Sequence, residues 1–400
     1  MTNLLGQVLV IFGLALGVIF VSRIFKIPTV VGLLLTGALG GPHGLGLIHA
    51  EEEVEALAEL GVVFLLFTIG LEFSFSTLLR IRRLALGGGS LQVGMTALLG
   101  LAVFSLLGLA IRPALFGGLL LSLSSTAIVL KIMQERSEID SPYGRAALGI
   151  LIFQDLAAVV MILMVPAMAG KVAGAGPWLQ LAGKTALLAV LTVVAARVAV
   201  PRLLYLSARL RDRQVFMLLI VTIGLAVAFL TSWLGLSLAL GAFVAGLVIS
   251  ESEYSLDALG NIMPLRDVLM SFFFVSIGML LDLSFLAAHP ALALGGALAV
   301  VVAKAGIAAA SAVALRLPLR SALIAGLSLG QVGEFAFVLA GAGRAAGLLS
   351  AERYQVFLGI SVITLTATPL IMAGSGGLAD FILRLPWPQS LRLGLRDEER

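Results

Sequence analysis

The chain has 400 residues, of which 60% are hydrophobic and only 12% are charged. Soluble domains carry about 25% charged residues, so this composition excludes an ordinary soluble fold and predicts an all-α, polytopic membrane protein embedded in the lipid bilayer. The net charge of +4 comes from cations that separate apolar runs rather than from a basic patch, so we expect no nucleic-acid partner, and the absence of cysteine excludes disulfide and thiol chemistry.

Apolar runs separated by proline, glycine and charged residues predict thirteen transmembrane helices. Basic residues follow the first run rather than precede it, which distinguishes that run from a signal peptide. We expect a transmembrane domain over residues 1–373 and a short cytoplasmic tail over residues 374–400. The predicted spans cover residues 4–21, 28–42, 54–73, 84–111, 113–134, 143–169, 178–205, 215–233, 236–250, 264–287, 290–315, 320–343 and 353–373.

The basic residues orient these predicted spans. Eighteen of them lie in the C-terminal tail or in loops after odd-numbered spans and the span ends beside those loops, five lie in loops after even-numbered spans and the span ends beside them, and the other three are Lys131, Arg197 and Lys304 within spans. Because cytoplasmic loops carry an excess of arginine and lysine, the distribution places the N-terminus outside and the C-terminus in the cytoplasm. We therefore expect a multi-pass protein of the inner (plasma) membrane.

The two halves of the chain match each other at a nearly constant offset. FTIGL at residues 67–71 is similar to VSIGM at 275–279, and RPALFGGLLLSLSST at 112–126 is similar to RSALIAGLSLGQVGE at 320–334. Both pairs are separated by 208 residues, and spans 3 and 10 and spans 5 and 12 therefore correspond.

A third pair extends the match to spans 2 and 9, where Gly37 corresponds to Gly246 one residue further on. Corresponding spans are seven apart, and because seven is odd the two copies cross the membrane in opposite directions. The sequence thus predicts an inverted repeat of residues 28–169 and 236–373, a frequent plan of secondary transporters.

Clusters of small and polar residues interrupt two corresponding spans. SLSST occupies residues 122–126 in span 5, and GQVGE occupies residues 330–334 in span 12. Unwound backbone at membrane depth is tolerated beside protein or a water-filled cavity, so the clusters favour two discontinuous, crossing helices. The alternative is tight helix packing, which uses the same residue types. The residues assigned to the breaks are Ser122, Ser124, Gly330, Gln331 and Gly333.

A carboxylate lies deep in span 6. Asp155 follows Gln154 in the apolar stretch GILIFQDLAAVVMILMVP, about 18 Å from the end of the span at ~1.5 Å per residue. Its burial costs several kcal/mol unless the group is neutral, paired or hydrated. Burial favours the protonated form and a bound cation favours the ionised form, so Asp155 is suited to exchange a proton for a cation. Gln154 adds a neutral amide oxygen.

Two further charges lie within predicted spans. Lys304 in span 11 has two open roles: it pairs with Asp155 in the empty state, or it neutralises helix ends at a break without changing protonation. Glu334 in span 12 either neutralises the positive ends of half-helices, which we prefer, or lines the ion route.

Several motifs together resemble the Kef-type branch of the monovalent cation:proton antiporter superfamily, in the same order and over nearly the whole membrane region. The motifs are GPHGLGLI at 41–48, FTIGLEF at 67–73, LSSTAIVL at 123–130, IFQD at 152–155 and GQVGEFAFVL at 330–339. The resemblance implies a thirteen-span homodimer with a dimerisation domain and a mobile core that moves like an elevator. It places the monovalent-cation site at Asp155, with Gln154, Ser125 and Thr126 close by and Lys304 facing the carboxylate.

The resemblance also implies a stoichiometry. Other branches carry two acids where Gln154 and Asp155 stand, so one carboxylate fewer favours electroneutral, one-for-one exchange. The expected cation is potassium, with sodium as an alternative, and no cofactor is implied. Kef proteins usually append a cytosolic nucleotide-binding regulatory domain, whereas this chain ends at Arg400. We expect a truncated chain, a naturally short relative or a separate regulatory subunit, and nucleotide gating is not carried over.

Other functions are weighed against proton-coupled antiport. A gated potassium channel on the same scaffold needs a continuous pore, and the sequence has no TVGYG-like filter. A sodium-coupled symporter of organic anions needs a larger pocket with a cationic partner, for which Lys304 is the one clear candidate. An enzyme is the least favoured alternative, because Asp155, Glu334 and Lys304 form no nucleophile–base set.

Overall fold

The computed structural model describes residues 2–25, 27–48, 51–72, 83–170, 183, 200–233 and 238–389, and every regular element in these ranges is helical. The all-α prediction is therefore confirmed for this part of the chain. The helices are α1 (Thr2–Ile24), α2 (Thr29–Gly40), α3 (Glu51–Glu72), a π-helix (Arg83–Gly89), α4 (Ser90–Leu106), α5 (Ile111–Ser122), α6 (Thr126–Glu135), α7 (Pro142–Met168), α8 (Val200–Arg209), α9 (Arg213–Trp233), α10 (Leu238–Ser250), α11 (Ser255–Met279), α12 (Leu283–Ala288), α13 (Pro290–Ala314), α14 (Leu319–Ser328), α15 (Glu334–Ala345) and α16 (Ala351–Ile382).

Seven helical segments in the described ranges are long and apolar enough to cross a membrane, and shorter apolar helices accompany them. The polytopic character predicted from composition is therefore confirmed. The number thirteen stays a prediction, since most of predicted span 7 lies outside the described residues. The last helix, α16, continues to Ile382, beyond the boundary predicted at residue 373.

The helices form two compact units. The first contains α3, α8, α9, α10 and most of α11, and the second contains most of α1 together with α2, α4–α7 and α12–α16. In the first unit α3 and α10 pack backbone against backbone: a Cβ added to Gly70 would lie 2.2 Å from the carbonyl oxygen of Phe243. Small residues permit such close approach between membrane helices.

The second unit is built on similar contacts between small residues. A Cβ added to Gly100 of α4 would lie 2.3 Å from the Cα of Gly118 in α5, and one added to Gly326 of α14 would lie 2.3 Å from the carbonyl oxygen of Ala305 in α13. A buried core joins α6, α7, α13, α16 and the residue that follows α14. Its members are Val129, Met133, Ala147, Ile150, Leu151, Ala308, Leu329 and Met372.

Both predicted interruptions are present in the second unit. Helix α5 ends at Ser122 and α6 begins at Thr126, with extended backbone at Leu123 and at Ser125. The Ser125 hydroxyl caps α6 by accepting from the Ile128 main-chain N–H at 3.3 Å. Helix α14 ends at Ser328, and α15 begins at Glu334 after the N-cap residue Gly333. Each span therefore consists of two half-helices.

Candidate ion-binding site

The two interrupted segments contact each other directly. The main-chain N–H of Gly333 donates to the carbonyl oxygen of Leu123 at 3.0 Å, and the Ser124 hydroxyl donates to the carbonyl oxygen of Leu329 at 2.8 Å. A Cβ on Gly333 would lie 2.3 Å from both the carbonyl carbon and the carbonyl oxygen of Ser124. Only glycine allows the backbones to meet this closely.

Asp155 lies beside this crossing, on α7. The Thr126 hydroxyl donates to its carboxylate, at 3.0 Å from Oδ1 and 3.1 Å from Oδ2. Since Thr126 is the first residue of α6, the carboxylate lies near a helix N-terminus, where the helix dipole favours negative charge. Asp155 is 8% exposed, Thr126 is half-buried and Ala127 is exposed. The carboxylate is thus buried but adjoins accessible surface.

Gln154 points to a different neighbour from Asp155, as expected for adjacent helical residues. Its Oε1 accepts from the main-chain N–H of Ser124 at 2.7 Å. Its Nε2 donates to Oε1 of Gln92, on α4, at 2.7 Å. The predicted neighbour of the ion is therefore hydrogen-bonded to the break in span 5 on one side and to a second glutamine on the other.

Gln92 was not predicted. It is fully buried, and its Nε2 donates to the carbonyl oxygen of Ser122, the last residue of α5, at 3.2 Å. The available signal was a single uncharged amide within the apolar span 84–111. That signal is weak, because an isolated glutamine carries no charge whose burial demands an explanation.

Lys304, on α13, is 1% exposed. Its Nζ donates to the carbonyl oxygens of Leu123 at 2.7 Å and Gln331 at 2.5 Å. These carbonyls follow the C-terminal ends of α5 and α14, where helices leave acceptors unpaired and the dipole is negative. Of the two open roles, this is the geometry expected for neutralising helix ends.

Glu334 lies at the opposite ends of the half-helices. It is the first residue of α15 and is 7% exposed, and its Oε1 accepts from the main-chain N–H of Ala127, near the N-terminus of α6, at 3.4 Å. The Glu334 carboxylate thus lies at the N-termini of α6 and α15, whereas the Lys304 side chain lies at the C-terminal ends of α5 and α14.

The remaining predicted break residues are Ser122, Gly330 and Gln331, and each lies in different surroundings. The Ser122 hydroxyl donates to the carbonyl oxygen of Leu119 within α5 at 2.7 Å. A Cβ on Gly330 would lie 3.3 Å from Val301 of α13. The Gln331 side chain is 1% exposed, and its amide atoms have no hydrogen-bond partner within the described residues.

The fold and the site define a class of protein. Two interrupted helices that cross inside a polytopic helical membrane protein, with a buried carboxylate beside the crossing, are typical of secondary transporters. The chain belongs to the transmembrane sodium/hydrogen exchanger family, whose model matches residues 10–373.

Curated relatives confirm the resemblance to Kef-type antiporters. The chain is 34% identical over 369 residues to K(+) efflux antiporter 5 of Arabidopsis thaliana, covering 91% of this chain and 65% of that protein. It is 35% identical over 382 residues to the putative cation/proton antiporter YbaL of Escherichia coli (strain K12), covering 93% and 68% respectively. The chain therefore spans about two-thirds of the length of these relatives.

A solved structure has the same fold. The sodium proton antiporter MjNhaP1 from Methanocaldococcus jannaschii matches with a TM-score of 0.67 and 17% identity, covering 96% of this chain and 99% of that one. The match extends over practically the whole of both chains, so the helical architecture described above is that of a known membrane fold.

Proposed function

We propose that the protein is a secondary active antiporter that exchanges a monovalent cation for protons, with Asp155 as the group for which the two compete. The observation that carries this proposal is the position of the carboxylate: 8% exposed, beside the crossing, with the Thr126 hydroxyl donating to both of its oxygens. The hydroxyl stabilises the ionised form, and burial favours the neutral form. A bound proton or a bound cation satisfies both demands.

The cation-binding groups in this proposal are the Asp155 carboxylate and the Thr126 hydroxyl oxygen. The Ser125 hydroxyl oxygen accepts from the Ile128 N–H in the first turn of α6 at 3.3 Å, and the Gln154 amide oxygen accepts from the Ser124 N–H in the break at 2.7 Å. We therefore assign Ser125 and Gln154 to holding the break in place rather than to direct binding. Oxygen ligands suit an alkali cation.

We further propose that the exchange is electroneutral. Lys304 is 1% exposed, and burial favours its neutral form, but its ammonium donates to two carbonyl oxygens at the negative ends of two helices, and these contacts favour the charged form. A lysine that keeps its proton leaves one carboxylate, Asp155, to alternate between a proton and a monovalent cation. One proton then moves for each cation.

Potassium is the cation we favour. One relative is named a potassium efflux antiporter, which supports this choice, whereas the family model and the solved structure are named for sodium. Both ions therefore belong in the test.

The transport movement we propose is elevator-like alternating access in a homodimer of the inner membrane, with the N-terminus outside. The division into two compact units, with every predicted site residue in the second, supports a separate mobile core. The inverted repeat is supported by helix starts: α5 and α14 begin at Ile111 and Leu319, and α6 and α15 begin at Thr126 and Glu334, each pair 208 residues apart.

The test is an ion-exchange assay in proteoliposomes. Internal pH is followed after adding potassium, sodium or lithium, with and without a membrane potential. We expect cation-dependent proton movement in the wild type and none in Asp155→Asn, because the amide cannot exchange a proton for a cation. Asp257→Asn, an exposed acid in the first turn of α11, serves as the control. Full exchange by Asp155→Asn would refute the proposal, and cation currents without proton movement would indicate a channel.

A further inference from the structure

Two buried glutamines bracket the break in span 5. Three hydrogen bonds connect them to the break. Gln92 Nε2 donates to the carbonyl oxygen of Ser122 at 3.2 Å. Gln154 Nε2 donates to Gln92 Oε1 at 2.7 Å, and Gln154 Oε1 accepts from the Ser124 N–H at 2.7 Å. The main-chain groups on the two sides of Leu123 are thus joined through two side-chain amides.

The packing of the π-helix brings these amides together. A Cβ added to Gly89, at its end, would lie 2.2 Å from the Cβ of Phe153. Gln92 follows Gly89 by one turn and Gln154 follows Phe153 directly. A larger residue at position 89 would separate α4 from α7 at the level of the pair.

The orientation of the Gln92 amide is fixed by its other partners. The single hydroxyl hydrogen of Thr96 goes to the main-chain oxygen of Gln92 at 2.8 Å, so Thr96 Oγ1 can only accept from Gln92 Nε2, at 3.3 Å. The second Nε2 hydrogen goes to the carbonyl oxygen of Ser122. A rotated amide would turn its oxygen toward two acceptors. Gln92 therefore presents an oxygen to residue 154.

An acceptor in this place restricts what position 154 accommodates. The amide of Gln154 supplies a donor to Gln92 and an acceptor to Ser124. An ionised carboxylate at position 154 would accept from Ser124 but turn its second oxygen against Oε1 of Gln92, in a fully buried place. Only a protonated acid, with its O–H donating to Gln92, would fit without repulsion.

We propose that Gln92 is a positioning residue that fixes the amide of Gln154 and excludes a second ionised carboxylate from the site. The inference rests on the proposed antiport at Asp155 and adds the reason why one charge, rather than two, is available for exchange. It also makes Gln92 responsible for holding the break against α7, on which the contact between Thr126 and Asp155 depends.

The first test measures protonation and needs no transport. In Gln154→Glu, the difference infrared spectrum against the wild type should show a protonated carboxyl group at neutral pH. A new carboxylate that is ionised at neutral pH would show that Gln92 rotates to donate, and would overturn the proposal. This readout requires only that Gln154→Glu folds.

A cycle of four proteins then tests whether Gln92 is the cause: wild type, Gln92→Met, Gln154→Glu and the double variant. If the buried glutamic acid holds its proton more tightly in the folded than in the unfolded protein, the protein loses stability as pH rises above the pKa of an unfolded glutamate, about 4.3. We expect the loss of Tm from about pH 5 to about pH 9 to be larger by roughly 2–4 °C in Gln154→Glu than in the double variant. An equal or smaller loss would contradict the proposal.

The effect on transport is a change in affinity. Gln92→Met should raise the half-saturating cation concentration by roughly fivefold, the effect of one lost hydrogen bond, with turnover kept within about twofold. Gln355→Met is the matched control, since Gln355 also holds two main-chain groups, Asp282 N–H at 2.9 Å and the Leu280 carbonyl oxygen at 2.6 Å. Equal kinetics in the two variants would overturn the role of Gln92. Asp155→Asn tests the proposed function separately, since the spectroscopic and Tm readouts do not depend on exchange.

Discussion

At the scale of single residues, charged side chains at the crossing contact main-chain groups of opposite partial charge. Lys304 donates to carbonyl oxygens that follow α5 and α14, and Glu334 accepts from the N–H of Ala127 at the start of α6. Each charge offsets a helix end of opposite sign. Asp155 also lies near the start of α6, but its carboxylate accepts from the Thr126 hydroxyl.

The Thr126 hydroxyl should therefore set the pH range of transport. In Thr126→Val the carboxylate loses a donor that stabilises its ionised form, so the proton is held more tightly. We expect the pH of half-maximal cation uptake to rise by about one unit. Thr366→Val is the control, because that hydroxyl bonds only within α16, to the carbonyl oxygen of Val362 at 2.7 Å. An unchanged or more acidic pH profile in Thr126→Val would contradict this role.

At the scale of elements, each interrupted span lacks helical hydrogen bonds at its break and forms hydrogen bonds with the other break instead. The N–H of Gly333 and the hydroxyl of Ser124 are used to join one break to the other, at 3.0 Å and 2.8 Å. Buried main-chain groups in a membrane need such partners, because lipid tails cannot form hydrogen bonds and the hydrocarbon core contains no water. Glycine is therefore required at residue 333 because the two backbones are in contact there; its φ of −96° is one that other residues also adopt.

A side chain at this contact should disrupt the crossing. The added methyl group of Gly333→Ala would lie 2.3 Å from the Ser124 carbonyl, and overpacking against rigid backbone costs typically 1–3 kcal/mol or more. We expect a lower Tm and a loss of cation exchange. Gly341→Ala, in the same helix and with no atom within 4 Å of the new Cβ, should be neutral or slightly stabilising. Equal stability of the two variants would show that the breaks do not need their close contact.

At the scale of the whole molecule, corresponding glycines make corresponding contacts. A Cβ on Gly278 would lie 2.1 Å from the carbonyl oxygen of Leu34 and 3.0 Å from the Cα of Gly37. In the other unit, a Cβ on Gly70 would lie 2.2 Å from the carbonyl oxygen of Phe243 and 2.9 Å from the Cα of Gly246. Shifting one set by the repeat offset of 208 or 209 residues gives the other, which supports the proposed inverted repeat.

The repeat predicts equal sensitivity at these two places. Gly70→Ala and Gly278→Ala should each lower the free energy of unfolding by about 1–3 kcal/mol, since both methyl groups meet a backbone carbonyl. Gly295→Ala, which places a Cβ in open space on α13, should not. Thermal unfolding of the purified full chain measures all three. A large effect at one glycine and none at the other would contradict the proposed correspondence.

The sequence predicted those features whose signal is local. A carboxylate in an apolar span and small polar clusters at matched positions need no knowledge of packing, so the sequence predicted a buried carboxylate at Asp155 and the two helix breaks at the residues where the structure has them. The partners of Lys304 were left open, because they depend on how α13 packs against two half-helices distant in sequence. Gln92 was missed for the same reason: its hydrogen bonds and the role proposed for it come from the approach of α4 to α7, which an uncharged residue in a long apolar run does not reveal.

The central claim, competition of one proton and one cation for Asp155, is tested most directly by the pH dependence of cation affinity. Below the pH at which Asp155 titrates, the half-saturating cation concentration should rise about tenfold for each unit fall in pH, with the rate at saturating cation unchanged. In Asp155→Asn no exchange should remain at any pH. A half-saturating concentration that is independent of pH, or that rises about a hundredfold per unit and so reports two competing protons, would contradict the account.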